Sequence, residues 1–254
     1  MRVDCHLHVG PKPGESLSQR ASSLCELLKQ YDLDAAVVLP LQGLFSNCAD
    51  HRADNDFIFE FCQQQPRHLI PAFTVNPWSG AKALDEIRRC HAEHGSTLLK
   101  LHPWLQGFSI ATDEMNAVAA LCQELDLAIV FHDGTPPYSA PLQLARLCRD
   151  FPKLRVVSGH AGLNDLWHDA LLGAQRYRNF FLCLCGLAAY PIQRILAEVP
   201  ADQICVGSDW INGTEDVFWY RWNLWRRLPV PAKIRNVIES ETPERILGPL
   251  KLSS

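Results

Sequence analysis

Eight short apolar runs punctuate this chain of 254 residues, and their spacing limits the fold more than any other feature. They are 2–8 (RVDCHLH), 34–40 (DAAVVLP), 68–75 (HLIPAFTV), 97–102 (TLLKLH), 127–132 (LAIVFH), 154–159 (LRVVSG), 179–184 (NFFLCL) and 203–208 (QICVGS). Each is short enough for a buried strand and leads into a loop rich in Gly, Pro, Asn or His. Helical patterns lie between them. In SLSQRASSLCELLKQYDL, Leu17, Ala21, Leu24, Leu27 and Leu28 form a stripe at helical spacing. DEMNAVAALCQELDL offers Asp113 as an N-cap, AKALDEIRRCHAEHG offers Gly95 as a C-cap, and APLQLARLCRDFP stops before Pro152. Strands that alternate with helices form a parallel sheet covered by helices. Eight such units in about 250 residues fit one closed α/β domain over 1–254, a (β/α)8 (TIM) barrel. A doubly wound open sheet would normally carry G-x-G-x-x-G after its first strand, where this chain has His6-Leu7-His8.

Chemistry on a parallel barrel sits at the C-terminal ends of the strands. Five of the eight runs end there in an ionisable or ligand-type residue: His6 and His8, Lys100 and His102, His132, His160, and Asp209. Side chains alternate along a strand, so His6 and His8 face the same way, about 6–7 Å apart at Cα, and Leu7 faces the helices. Two imidazoles so placed can converge on one cation. An isolated H-x-H would be weak evidence, but His132, His160 and Asp209 fall at the matching ends of other strands, which makes a metal site the expectation. His102 either lines the mouth or pins its loop. His51, His68, His91, His94 and His168 fall in loops, in helices or at a strand start, and are expected on surfaces and helix faces.

Composition narrows the partners. The net charge is −4 with no basic stripe, which disfavours nucleic acid. No run approaches the roughly 18 apolar residues of a membrane span, and no signal peptide is evident. The ten cysteines are scattered, with no C-x-x-C pair, and are expected to be reduced, buried thiols of a cytoplasmic protein. Cys183 and Cys185 would share one strand face, a minor candidate for metal binding. Trp78, Trp104 and Trp210 follow strand ends and are candidates for the apolar wall of a substrate pocket. Tyr138, in the proline-stiffened GTPPYSAP loop, could reach over the site. Trp219, Trp222 and Trp225 recur every third residue on one helix, which either packs on the barrel or forms a homodimer interface.

The ordered set DCHLH, LLKLHP, VFHDGTPP, SGHAG, VGSDW and IESETPERILG resembles the amidohydrolase superfamily, in the amidohydrolase-related branch that also contains small decarboxylases and lactonases. The resemblance spans the chain. It implies a distorted (β/α)8 barrel with one or two divalent metals, most often zinc. His6, His8, His132 and Asp209 match metal-ligand positions, and His160 matches either a second-metal ligand or a catalytic histidine. Lys100 stands where two-metal members carry a carboxylated, bridging lysine, or it remains an ordinary ammonium. The short chain carries no added β-sandwich, unlike many larger relatives.

The leading expectation is hydrolysis of a small amide, ester or lactone by metal-activated water, with Asp209 moving the proton and His160 stabilising the oxyanion. Lys100, His102, Trp104 and Trp210 would contact the small-molecule substrate. The alternative is a metal-dependent decarboxylase of a small carboxylic acid. A phosphoesterase or nuclease, in which Lys100 would more often be glutamate, and a non-catalytic metabolite-binding barrel rank lower.

Overall fold

The computed structural model describes residues 1–45, 50–211 and 213–248. Its parallel strands are β1 (Val3–Val9), β2 (Ala35–Pro40), β3 (Leu69–Pro71), β4 (Leu98–Leu101), β5 (Ala128–Phe131), β6 (Arg155–Ser158), β7 (Phe180–Cys183), β8 (Ile204–Cys205) and β9 (Trp210–Ile211). They form two parallel arcs, β3-β2-β1-β9 and β4-β5-β6-β7-β8. The arcs meet on both sides. Phe73 bridges to Leu99, and Lys100 N–H donates to the Phe73 carbonyl at 2.8 Å. Opposite, Cys5 N–H donates to Val206 O at 2.9 Å and Asp209 N–H to His6 O at 2.7 Å. The ring is closed, as the eight-fold alternation requires.

Two expected strands differ from their runs. The run 68–75 is a strand only at Leu69–Pro71, with Phe73 pairing singly beyond it. The run 203–208 contributes only Ile204–Cys205, and the chain resumes pairing at Trp210–Ile211. Asp209, between them, takes φ +57°, a left-handed conformation that Asp tolerates better than most residues.

Eight main helices follow the strand ends: α1 (Leu17–Gln30), α2 (Arg52–Gln63), α3 (Ala81–His94), α4 (Asp113–Glu124), α5 (Pro141–Asp150), α6 (Leu163–Arg176), α7 (Ala189–Glu198) and α8 (Glu215–Arg227). Ser16 caps α1 in a reciprocal box with Gln19. Thr112, rather than the expected Asp113, caps α4 by accepting from Met115 N–H; Asp113 begins the helix and complements its dipole. Gly95 ends α3 in the left-handed conformation, as the sequence predicts. On α8, Trp222 and Trp225 are buried against the barrel whereas Trp219 is exposed, so the three tryptophans do not share one environment.

Two apolar layers result. Leu7, Val38, Leu99, Ile129, Phe131, Val156 and Leu182 face outward and pack with the helices. Val3, Val37, Ile70, Leu98, Val130, Val157 and Phe181 face inward, with Ile246 and Leu247 of the C-terminal helix Thr242–Leu247 in the same cluster.

Strand β1 departs from simple alternation. Its register against β2 slips between Asp4 and Leu7, the signature of a bulge. Val3 and Cys5 point inward, Asp4 bonds the α8 indole of Trp222 at 2.9 Å, and His6 lies among the inward groups beside Lys100. Cys5 and His6 are thus consecutive residues on the same side of the barrel wall.

Candidate active site

The mouth of the barrel is built on β1. His6 Nε2 lies 3.3 Å from His8 Nε2, 3.2 Å from Lys100 Nζ and 3.6 Å from Asp209 Oδ1; His8 Nε2 is 3.8 Å from the same oxygen. Each of His6, His8 and Asp209 presents a ligand atom within 4.8 Å of the others. The His8 ring is oriented by Nδ1–H donating to Pro40 O at 3.0 Å, which leaves the Nε2 lone pair facing the cluster. The donor set, two imidazole nitrogens and a carboxylate oxygen with a fixed tautomer on His8, suits a divalent cation.

The histidines continue as a chain of rings. His6 and His160 stand 4.8 Å apart at their centroids and His160 and His132 4.5 Å apart, and His132 stacks on His102 at 3.8 Å. His132, a predicted ligand, is therefore one ring removed from the His6–His8–Asp209 group, and its Nε2 lies 3.0 Å from Thr135 Oγ1. His102 pins its loop and stacks on the histidine row. It caps the short helix Pro103–Gln106 by accepting from Leu105 N–H, and its ring stacks on His132.

Burial sets the protonation of the cluster. Desolvation, with Lys100 nearby, pushes His8 and His132 down to about 3 and His6 well below its ordinary value. Desolvation and neighbouring histidines lower His160 strongly and bring His102 to about 2. Neutral imidazoles are the form that binds metal. Lys100, completely buried, is lowered to about 8 by desolvation against the pull of Asp209. Asp209 is raised to about 6 by desolvation, which Lys100 opposes. It is also the one member of the ligand group with a third of its side chain exposed, 35%.

Several supporting residues stand outside the set of site residues expected from the sequence. Asp133 is fully buried and accepts from Ser158 Oγ at 2.5 Å, His160 N–H at 2.8 Å and Gly162 N–H at 2.8 Å. It ties the end of β5 to the turn carrying His160. Asp4 does the same between β1 and the eighth strand, accepting from His6 N–H at 3.0 Å and Ser208 N–H at 3.1 Å. Gly207 and Gly159 make room for His6: a Cβ at 207 would lie 2.6 Å from His6 Cβ, and one at 159 would lie 3.0 Å from His6 Cε1. Alternation could have marked Asp4 as a buried acid; the glycine contacts are tertiary.

Among the aromatic candidates, Trp210 is buried and lines a cavity of about 450 Å³ with Lys12, Arg20, Tyr31 and Trp219. Trp104 is exposed, its ring 6.3 Å from His102. Trp78 is exposed but tethered to Gly107 O at 2.9 Å. The expectation of surface or helix-face histidines fails at His51, which is buried at the start of α2 without a hydrogen-bond partner on Nε2. The nine described cysteines are free and buried, as expected; Cys48 lies outside the described residues. No described helix is long and apolar enough to cross a membrane.

A profile of the amidohydrolase family matches residues 3–248, and the chain belongs to that family. No curated protein sequence matches it. Among solved structures, 5-carboxyvanillate decarboxylase from Sphingomonas paucimobilis superimposes with a TM-score of 0.75 at 13% identity, covering 97% of this chain and 98% of its own. The 4-oxalomesaconate hydratase from Rhodopseudomonas palustris gives 0.74 at 18% identity, covering 97% and 95%. A dihydroxybenzoic acid decarboxylase from Polaromonas, solved with manganese and the inhibitor 2-nitroresorcinol, gives 0.73 at 13% identity, covering 97% of this chain and 96% of its own. At these identities the likeness is one of fold, the barrel found here.

Proposed function

We propose that this protein is a metal-dependent decarboxylase of a small carboxylic acid. One observation carries the reading. Around a single carboxylate, Asp209, the mouth gathers five imidazoles and a lysine, all linked by the contacts described. The imidazoles are neutral, so the fixed cation of the set is Lys100, and together with a divalent ion on His6, His8 and Asp209 it would favour an anionic substrate. Two of the three structural neighbours named are decarboxylases, which moves hydrolysis, the leading expectation from the sequence, to second place.

His6, His8 and Asp209 would hold the metal, with His132 and His160 beside it; manganese in a neighbour makes it a candidate alongside zinc. A bound divalent ion would supply Lewis-acid stabilisation of negative charge at the substrate. The chain's own residues do the rest. Lys100 faces the anionic substrate from the barrel wall as a point charge. His102 and Trp104 form the flank against which the body of the substrate packs, whereas Trp210, paired with the outward-facing Leu7 and lining a cavity between α1 and α8, lies apart from the cluster and is not assigned that role. As the C–C bond breaks, its electron pair stays on the carbon that loses carbon dioxide. Asp209, the most accessible member of the cluster, delivers a proton to that carbon and regains one from water.

The second reading, hydrolysis of a small amide, ester or lactone, uses Asp209 as the base for water. Isotopes separate the two. With a panel of hydroxybenzoates and small lactones, a decarboxylase releases carbon dioxide and places deuterium from D2O on carbon. A hydrolase places ¹⁸O from labelled water in the product. Turnover with ¹⁸O uptake and no carbon dioxide would overturn the proposal.

A further inference from the structure

The floor beneath the histidines is lined by thiols. Cys5, Cys183, Cys185 and Cys205 are all buried on the inner side of the wall, on the neighbouring β7, β8 and β1 segments. Barrel interiors are usually filled there by branched aliphatic residues. Here Cys183 and Cys205 are register partners across β7 and β8. Cys183 neighbours both Cys185 and Cys205, and Cys205 neighbours Cys5. The row ends at the catalytic layer, where Cys185 Sγ lies 2.8 Å from Gly159 O and 3.3 Å from His160 Nδ1.

Cys183, Cys185 and His6 each present a ligand atom within 4.8 Å of the others. Two sulfurs and one imidazole nitrogen around a tetrahedral d¹⁰ ion stand about 3.5–3.8 Å apart, so small side-chain adjustments close the site. His6 also has a nitrogen to offer. Its Nε2 serves the His8, Lys100 and Asp209 side, while its buried Nδ1 has no hydrogen-bond partner. A cysteine packed only as a small hydrophobe would not account for this convergence on an imidazole.

We propose that Cys183, Cys185 and His6 form a second metal position for a thiophilic ion such as Cd(II), Zn(II) or Cu(I), distinct from the oxygen- and nitrogen-rich His6–His8–Asp209 centre above it. Cys205 and Cys5 stand behind it as further sulfur donors. On binding a divalent ion, two S–H groups lose their protons to solvent and two metal–sulfur bonds form, with no change of oxidation state. Because both positions use His6, a soft ion in the lower one disturbs the upper one. The proposal does not depend on which reaction the centre performs.

The test is titration of the full-length, reduced, chelator-stripped protein with Cd(II) alone, followed by the ultraviolet cadmium–thiolate charge-transfer band. We expect one band-forming ion per chain, a rise in thermal midpoint on binding, and loss of the band in C183S/C185S. The band should persist in H8A and D209N, which damage only the upper centre, so failure of that centre and failure of this proposal are distinguishable. C185A, read with its far-ultraviolet dichroism, serves if the double variant does not fold, and is expected to weaken the band-forming ion at least tenfold. Absence of a band in the wild type, or a band undiminished in folded C183S/C185S or C185A, overturns the assignment.

Discussion

The two ends of the barrel interior are built on opposite terms. The lower end, around Val37, Leu98, Val130 and Phe181, is apolar and closed by Ile246 and Leu247. The upper end packs imidazoles, an amine and a carboxylate into space where burial drives the imidazoles neutral. Apolar burial stabilises the first region by roughly 25 cal/mol per Å². The second region contributes less of that and is held by neighbours such as Asp133 and Asp4. Stability should therefore be concentrated below and activity above, and substitutions can separate the two.

The largest effect is expected from H6A/H8A. Turnover on an identified substrate should fall by about 10³-fold or more, as for removal of groups that act together. Metal per chain, measured by elemental analysis, should fall with it while far-ultraviolet dichroism is kept. Activity near wild type in that variant would break the comparison. Next, F181A removes a buried ring from the floor and should cost about 3–5 kcal/mol in urea unfolding. Its remaining folded fraction should keep turnover per molecule; a matching loss of kcat would show that floor and mouth are coupled. D133A leaves the Ser158, His160 and Gly162 donors without their acceptor. It should lower both stability, by at least about 2 kcal/mol, and activity, because this carboxylate belongs to both regions.

The smallest effect concerns a site away from both ends. Burial raises the Glu86 carboxyl, but bonds from Arg89, Asn55 and Cys90 outweigh it and leave the pKa below its ordinary value. A depressed carboxyl contributes stability above its unfolded pKa, about 4.3, and loses it as pH falls through the lower folded value. E86Q should therefore flatten the acid limb of the thermal midpoint between about pH 5 and pH 3 and leave activity at neutral pH unchanged. An acid limb as steep as wild type would remove Glu86 from this role.

Much of the barrel is legible in the sequence because its signals are local. Leu7, Val38, Leu99 and Ile129 face the helices, as period-two alternation predicts, and His6 and His8 meet at Nε2. The short fragments of the third and eighth strands are less legible. Pairing of the third strand thins to the single bridge of Phe73 with Leu99, and that of the eighth breaks at the left-handed Asp209, and both are decided by neighbours distant in sequence. His51 reads as a loop residue but is covered by the fold. The position of His132, one ring away from the ligand group, depends on Thr135 and on its stacking with His102. Order along the chain reveals that such residues share a barrel end, but not which atoms touch.

The bulge in β1 turns the depth of the pocket into a question of phase. With strict alternation from Val3, the inward positions would be 3, 5, 7 and 9, and Leu7 rather than His6 and His8 would fill the centre. One extra residue between Asp4 and Leu7 resets that count, so that Cys5 and His6 both lie on the inner side. Deleting Cys5 would remove that offset and give the strand one continuous register, with His6 and His8 still inward but the inward position at Cys5 lost. The His6–His8–Asp209 group is in this sense written by an insertion as much as by its histidines.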